Sequence, residues 1–145
     1  MKNEPNETAV RAWTQLMRAQ NAALTQVEQS FKDAGFPPLT WYDVLWELER
    51  GDRAGMRPFE LESHLLVPQY GLSRLLDRVE KAGYVERRPC DGDGRGQVVV
   101  ITKLGRQLRR RMWQVYAPAL NSAVADRLTA KETATLSRLL GKLLP

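Results

Sequence analysis

A mainly α-helical fold carrying a small β-hairpin wing is what this sequence predicts, and three observations predict it. Apolar residues recur at spacings of three, four or seven through most of the chain, the mark of helices with one buried face. The period changes around residues 84–102, where extended runs flank a segment holding three glycines and two aspartates. A length of 145 residues, with 43% hydrophobic and 27% charged side chains, suits one compact folded domain.

Residues 7–34 read as the first helix, with Val10, Trp13, Met17, Leu24, Val27 and Phe31 along one stripe. Thr8 or Asn6 can cap its start, and Gly35 ends it before Pro37 and Pro38. That length exceeds the usual helix of a small domain, so it needs something beyond its own domain to lie against. It reads as a dimerisation helix. Thr40 is expected to cap a second helix over 41–50, with Trp41, Val44, Leu45 and Leu48 on one face, and residues 51–55 form a turn. A short third helix runs from about Phe59 to Leu66, with Leu61, Leu65 and Leu66 inward, and Val67 makes the next turn.

The fourth helix, Pro68 to Ala82, has the cleanest pattern. Pro68 suits its first turn, and Leu72, Leu75, Leu76 and Val79 occupy i, i+3, i+4 and i+7. Gln69, Tyr70, Ser73, Arg74, Asp77 and Arg78 remain on or near the outer face, and Gly83 suits the C-terminal cap. Two short helices joined by a tight turn make a helix-turn-helix. Residues 84–88 and 97–102 then read as the two strands of a hairpin, a wing. Thr102 caps a fifth helix bearing Leu104, Leu108, Met112, Val115 and Leu120, which Pro118 is expected to kink or break. Thr129 and Glu132 form a capping box that opens a sixth, with Leu136, Leu139, Leu140 and Leu143 at helical spacing.

The charge is unevenly distributed. The chain carries a net +5, yet the stretch from Arg74 to Arg111 carries +6 and the remainder −1. A basic patch of this kind attracts a phosphate backbone by releasing its condensed counterions. Other classes are disfavoured. The single cysteine cannot form an internal disulfide, and the single histidine, His64, suits neither a usual zinc site nor Ser-His or Cys-His catalysis. There is no glycine-rich nucleotide loop, so an enzyme is not expected, nor is a cofactor. No apolar run approaches a membrane span, and the polar residues 1–7 give no secretory signal, so a cytoplasmic location is expected.

Several runs, taken in order, carry a likeness. They are Leu39-Thr40-Trp41-Tyr42-Asp43-Val44-Leu45, Glu60-Leu61, and the stretch from Leu72 through Arg87. Asp93-Gly94-Arg95-Gly96 and Ile101-Thr102-Lys103-Leu104-Gly105 complete the set. With these spacings the chain resembles the MarR (multiple antibiotic resistance regulator) family of bacterial winged-helix transcription factors. The resemblance implies a winged helix-turn-helix region over 38–102 plus a helical dimerisation region formed by 7–34 and 103–145. It further implies a homodimer that reads a near-palindromic operator in double-stranded DNA, commonly as a repressor released by a small aromatic or anionic effector. The sequence departs from the family pattern at Val67-Pro68-Gln69-Tyr70 and at Glu62.

Recognition helices read base edges with a few side chains near their N-terminal half, which here are Gln69, Tyr70, Ser73 and Arg74. Arg78, one turn further, is suited to phosphate. Arg95 on its glycine-flanked loop can reach a narrow minor groove, with Asp93 holding the loop or the arginine and Arg87 and Arg88 supporting the wing base. Trp13, Tyr42, Trp46 and His64 are the candidates to border an effector pocket. Cys90 has Arg87 and Arg88 as sequence neighbours but reads foremost as an ordinary turn cysteine. The competing reading is a winged-helix interaction module that uses the same basic face on an acidic protein.

Overall fold

The computed structural model describes residues 3–51, 53–66, 70–90 and 96–145. Among the described residues six α-helices and one hairpin follow in the order α1 (Glu7–Asp33), α2 (Leu39–Arg50), α3 (Pro58–His64), α4 (Leu72–Lys81), β1 (Val85–Pro89), β2 (Gln97–Ile101), α5 (Lys103–Ala123) and α6 (Ala130–Gly141). A short 3-10 turn at Ala125–Arg127 lies between the last two helices. The chain divides into two compact units, one of Phe31–Val115 and one of Met1–Ser30 with Tyr116–Pro145.

Local chemistry sets most element ends in the Phe31–Val115 unit. The α4 helix stops in a paired-turn cap. Gly83 N–H donates to the Glu80 carbonyl at 2.9 Å and Tyr84 N–H to that of Val79 at 3.1 Å, satisfying carbonyls that the helix leaves open. Thr102 accepts from Gly105 N–H at 3.1 Å and donates to the Gly83 carbonyl at 2.7 Å, so one hydroxyl caps α5 and ties it to the end of α4. That junction is tight. A Cβ on Gly105 would lie 2.1 Å from the Tyr84 carbonyl oxygen, so glycine alone lets the two backbones approach.

The hairpin is antiparallel, pairing Val85 with Ile101 and Arg87 with Val99. Met56 adds a bridge on the other side of β2, exchanging hydrogen bonds of 3.0 and 2.8 Å with Val99. Residues 53–55 lead into this bridge, which the sequence pattern did not announce. Phe31, Val44, Leu45, Leu61, Leu76, Val79, Val85, Val99 and Met112 are fully buried side chains of the unit. The apolar face of α4 lies in that core, and its remaining faces are left to the surface.

Four expectations need correction. Thr40 does not cap α2, because the helix begins at Leu39, two residues earlier than expected, and Pro38 is the cap, its carbonyl accepting from Trp41 N–H at 3.0 Å. Leu66 is not inward; α3 ends at His64 and Leu66 is 70% exposed. The fourth helix starts at Leu72 rather than Pro68, because Gly71 has φ +80° and that left-handed backbone cannot sit inside an α-helix. Tyr70 therefore stands in the turn before the helix. Pro118 does not break α5, which continues to Ala123. Proline removes one N–H donor and crowds one carbonyl, a local cost that the rest of a long helix outweighs.

In the second unit, Asn6 rather than Thr8 caps α1, accepting from Ala9 N–H at 2.8 Å. The Thr129–Glu132 capping box forms with both of its hydrogen bonds, at 3.1 and 2.9 Å. Gln26 on α1 donates to the Ser122 hydroxyl at 2.7 Å. Val27, Tyr116 and Ala119 are buried, but α6 has no buried residue at all. Val10, Trp13 and Met17 on α1 and Leu136, Leu139 and Leu140 on α6 remain exposed.

Candidate nucleic-acid interface

The α4 helix presents three faces, each with its own chemistry. Leu72, Leu75, Leu76 and Val79 form the buried one. Opposite them Arg74, Arg78 and Lys81 recur at i, i+4 and i+7, all exposed, so a stripe of three cations runs the length of the helix. Lys81 was not among the expected site residues, although its spacing from Arg74 was the available signal. Arg78 also donates to the Arg74 carbonyl at 3.4 Å.

Ser73, Asp77 and Glu80 make up the third face, again at i, i+4 and i+7, and Arg87 of β1 lies along it. Its Nη1 donates to Asp77 Oδ1 at 2.8 Å and to Glu80 Oε1 at 3.0 Å, and its Nη2 to the Ser73 carbonyl at 3.5 Å. The backbone N–H of Arg87 donates to the other oxygen of Glu80 at 2.9 Å. Burial by itself would lower the Arg87 pKa, but the Asp77 and Glu80 hydrogen bonds and charges more than reverse it, and the net shift is upward. Its side chain is 20% exposed. This arginine faces inward to the helix.

Arg88 is the next residue on the strand and points to the opposite side, where its guanidinium pairs with Glu86. Both partners are well exposed, so the pair contributes little to stability. The guanidinium beside the Cys90 thiol belongs to Arg57, the cap residue of α3, whose Nη2 lies 3.1 Å from Cys90 Sγ.

Of the expected DNA-contacting residues, Ser73, Arg74 and Arg78 stand on α4 and Tyr70 stands fully exposed just before it. Gln69, Asp93 and Arg95, together with Val67 and Pro68, lie outside the described residues. The loop before α4 is held on its α3 side by Asp43, a buried carboxylate that accepts from Leu66 N–H at 2.6 Å. Glu62 is exposed on α3.

The expected effector residues are only partly brought together. Tyr42 stacks on Trp113 with ring centroids 6.3 Å apart, and the Arg109 guanidinium sits 5.2 Å from the centre of the Trp46 ring while pairing with Glu49. Burial pushes the Tyr42 phenol up, against the opposing pull of Arg109, so it stays protonated at neutral pH. Trp113, Arg109 and Glu49 were not anticipated, yet Tyr42 and Trp46 on α2, like Arg109 and Trp113 on α5, are four residues apart. His64 is exposed at the end of α3, and Trp13 is exposed on α1 in the other unit. Among the described residues no acidic, His and Cys cluster could hold a metal, and no helix is long and apolar enough to cross a membrane.

This arrangement has counterparts. A family model described as MarR family matches residues 34–96. The multiple antibiotic resistance protein MarR of Escherichia coli (strain K12) is 39% identical over 92 residues, which are 63% of this chain and 64% of that protein's length. A MarR family transcriptional regulator from Streptomyces coelicolor, in complex with DNA, superposes with a TM-score of 0.87 at 25% identity. That match covers 97% of this chain and 89% of the other. A mutant MarR from E. coli complexed with operator DNA gives a TM-score of 0.82 at 26% identity, covering 99% and 100%.

Proposed function

We propose, from its likeness to the MarR family, that the chain is a sequence-specific DNA-binding transcriptional regulator of that family. It acts as a homodimer on a near-palindromic operator, as a repressor responsive to a small aromatic or anionic effector. One observation carries the reading: Arg74, Arg78 and Lys81 form an exposed cationic stripe on the side of α4 opposite its buried leucines. A helix of this kind offers its outer face to the major groove without disturbing its own core. The relatives crystallised with DNA support the same use of the fold.

In this reading Gln69, Tyr70, Ser73 and Arg74 meet base edges at the N-terminal end of α4, while Arg78 and Lys81 track phosphates. Arg95 enters the flanking minor groove from the wing, steadied by Asp93, and Arg87 and Arg88 support the wing base. Residues 38–102 form the DNA-binding region, and 7–34 with 103–145 join the two copies. The exposed apolar residues of α1 and α6 support that second role, since an uncovered amphipathic face calls for a partner. The effector seat is the aromatic ground of Tyr42 and Trp46.

A fluorescence-anisotropy titration against selected and random duplexes tests the reading. Arg74→Ala should lose about 1–3 kcal/mol on the selected duplex and relax its preference at one position. Lys81→Ala should weaken all duplexes alike and flatten the salt slope by about one unit. Wild-type protein that binds no duplex in a salt-dependent way would refute it.

A further inference from the structure

We propose that Arg87 is a positioning residue that sets the angle between α4 and the wing, acting in recognition without touching DNA; this rests on the DNA-binding reading above. Its guanidinium and backbone N–H make four hydrogen bonds to a single face of α4, reaching from Ser73 to Glu80. At the other end, Arg87 pairs in register with Val99, which is fully buried and also bridged to Met56. Val99 turns its own N–H and carbonyl to Met56 and Arg87 its N–H to Glu80, so a continuous series of contacts runs from α4 through the facing Arg87–Val99 strand pair to the segment before α3. Any swing of the wing relative to α4 must break part of it.

The same contacts separate this arginine from its neighbours on the surface. Arg74, Arg78 and Lys81 are exposed on the outward stripe, whereas Arg87 is largely covered and its donors are directed at carboxylates and a carbonyl. Asp77 and Glu80 share their helix with that stripe, and left alone they would set two negative charges beside phosphate. Arg87 offsets both. A lysine in its place would keep the charge but lack the planar fork, whose Nη1 serves both carboxylates while Nη2 reaches the Ser73 carbonyl. Geometry and charge can thus be tested separately at one position.

The experiment compares wild type and Arg87→Lys, after thermal melts establish a temperature at which both are folded. Operator and random-duplex affinities are measured over a salt series, and hydrogen exchange is measured in the free protein. Arg87→Lys should lower operator affinity by about tenfold, the scale of one mis-set base contact, and leave random-duplex affinity and the salt slope unchanged. Exchange should rise in α4 and in both strands together. A salt slope flattened by about one unit would mean direct phosphate contact and overturn the proposal. So would an unchanged ratio of operator to random affinity, or unchanged exchange in α4. Wild type that binds no duplex would instead overturn the functional reading, while the exchange data still decide whether the strut exists.

Discussion

The unit of Phe31–Val115 and the unit built from the two ends of the chain use the same helical code with different outcomes. In the first, the helices bury apolar side chains against one another: Val44, Leu45, Leu61, Val79 and Met112 are completely buried. In the second, α6 carries an equally regular leucine series at Leu136, Leu139 and Leu140, continued by Leu143 just past its end, and none of it is buried. Regular spacing builds a face, but a face becomes core only when another surface meets it. The first unit meets its own surfaces. The second leaves room for the second copy proposed above.

The largest expected effect probes the closed core. Leu45→Ala should cost about 2–5 kcal/mol, through lost burial and the cavity left behind. Its melting temperature should fall by the same amount at every protein concentration. Gly105→Ala should come next, at about 1–3 kcal/mol, because the added methyl meets the Tyr84 carbonyl oxygen and must push α5 away from the end of α4. Denaturant midpoints would check both.

Leu139→Ala sharpens the contrast from the other side. Its residue is 45% exposed in the single chain, so the intrinsic loss should stay below about 1 kcal/mol. The effect should instead appear as a steeper fall of melting temperature on dilution and a smaller mass by analytical ultracentrifugation. A concentration-independent loss as large as that of Leu45→Ala would erase the distinction between the units.

The smallest effect concerns Tyr42. An unfolded tyrosine ionises near pH 10, and burial raises this one further in the folded protein, with Arg109 only partly offsetting it. Above about pH 10 the unfolded chain releases the proton first. Folded stability is therefore intact below that pH and declines as pH rises toward the folded value. Tyr42→Phe should remove this part of the alkaline decline, as followed by denaturant unfolding at pH 9 to 11.

What could be read along the chain was what neighbours within a turn or two decide. The Thr129–Glu132 box, the buried stripe of α4 and the glycine that ends it all depend on residues at most seven apart. The start of α4 failed for a related reason. Pro68 suits a first turn, but a glycine three residues on has a left-handed backbone that excludes it from the helix, and only φ at Gly71 shows that backbone. The candidate interface was legible to the same degree. Arg74 and Arg78 follow from helix spacing, and Lys81 could have followed from it too.

By itself, then, the sequence determined the number and kind of its elements, their apolar faces and the band of positive charge, because each is written in short-range periodicity. Tertiary structure decided which cations face outward and which are held. Arg87 and Arg88 are adjacent in sequence, yet one braces α4 through Asp77 and Glu80 while the other pairs with Glu86 at the surface. Met56 joining Val99, Arg57 reaching Cys90 and Arg109 lying between Trp46 and Glu49 were settled in the same way. The physical reason is common to all of them. Hydrogen bonds and ion pairs act over a few ångströms in space, and only the folded backbone decides which distant residues come that close.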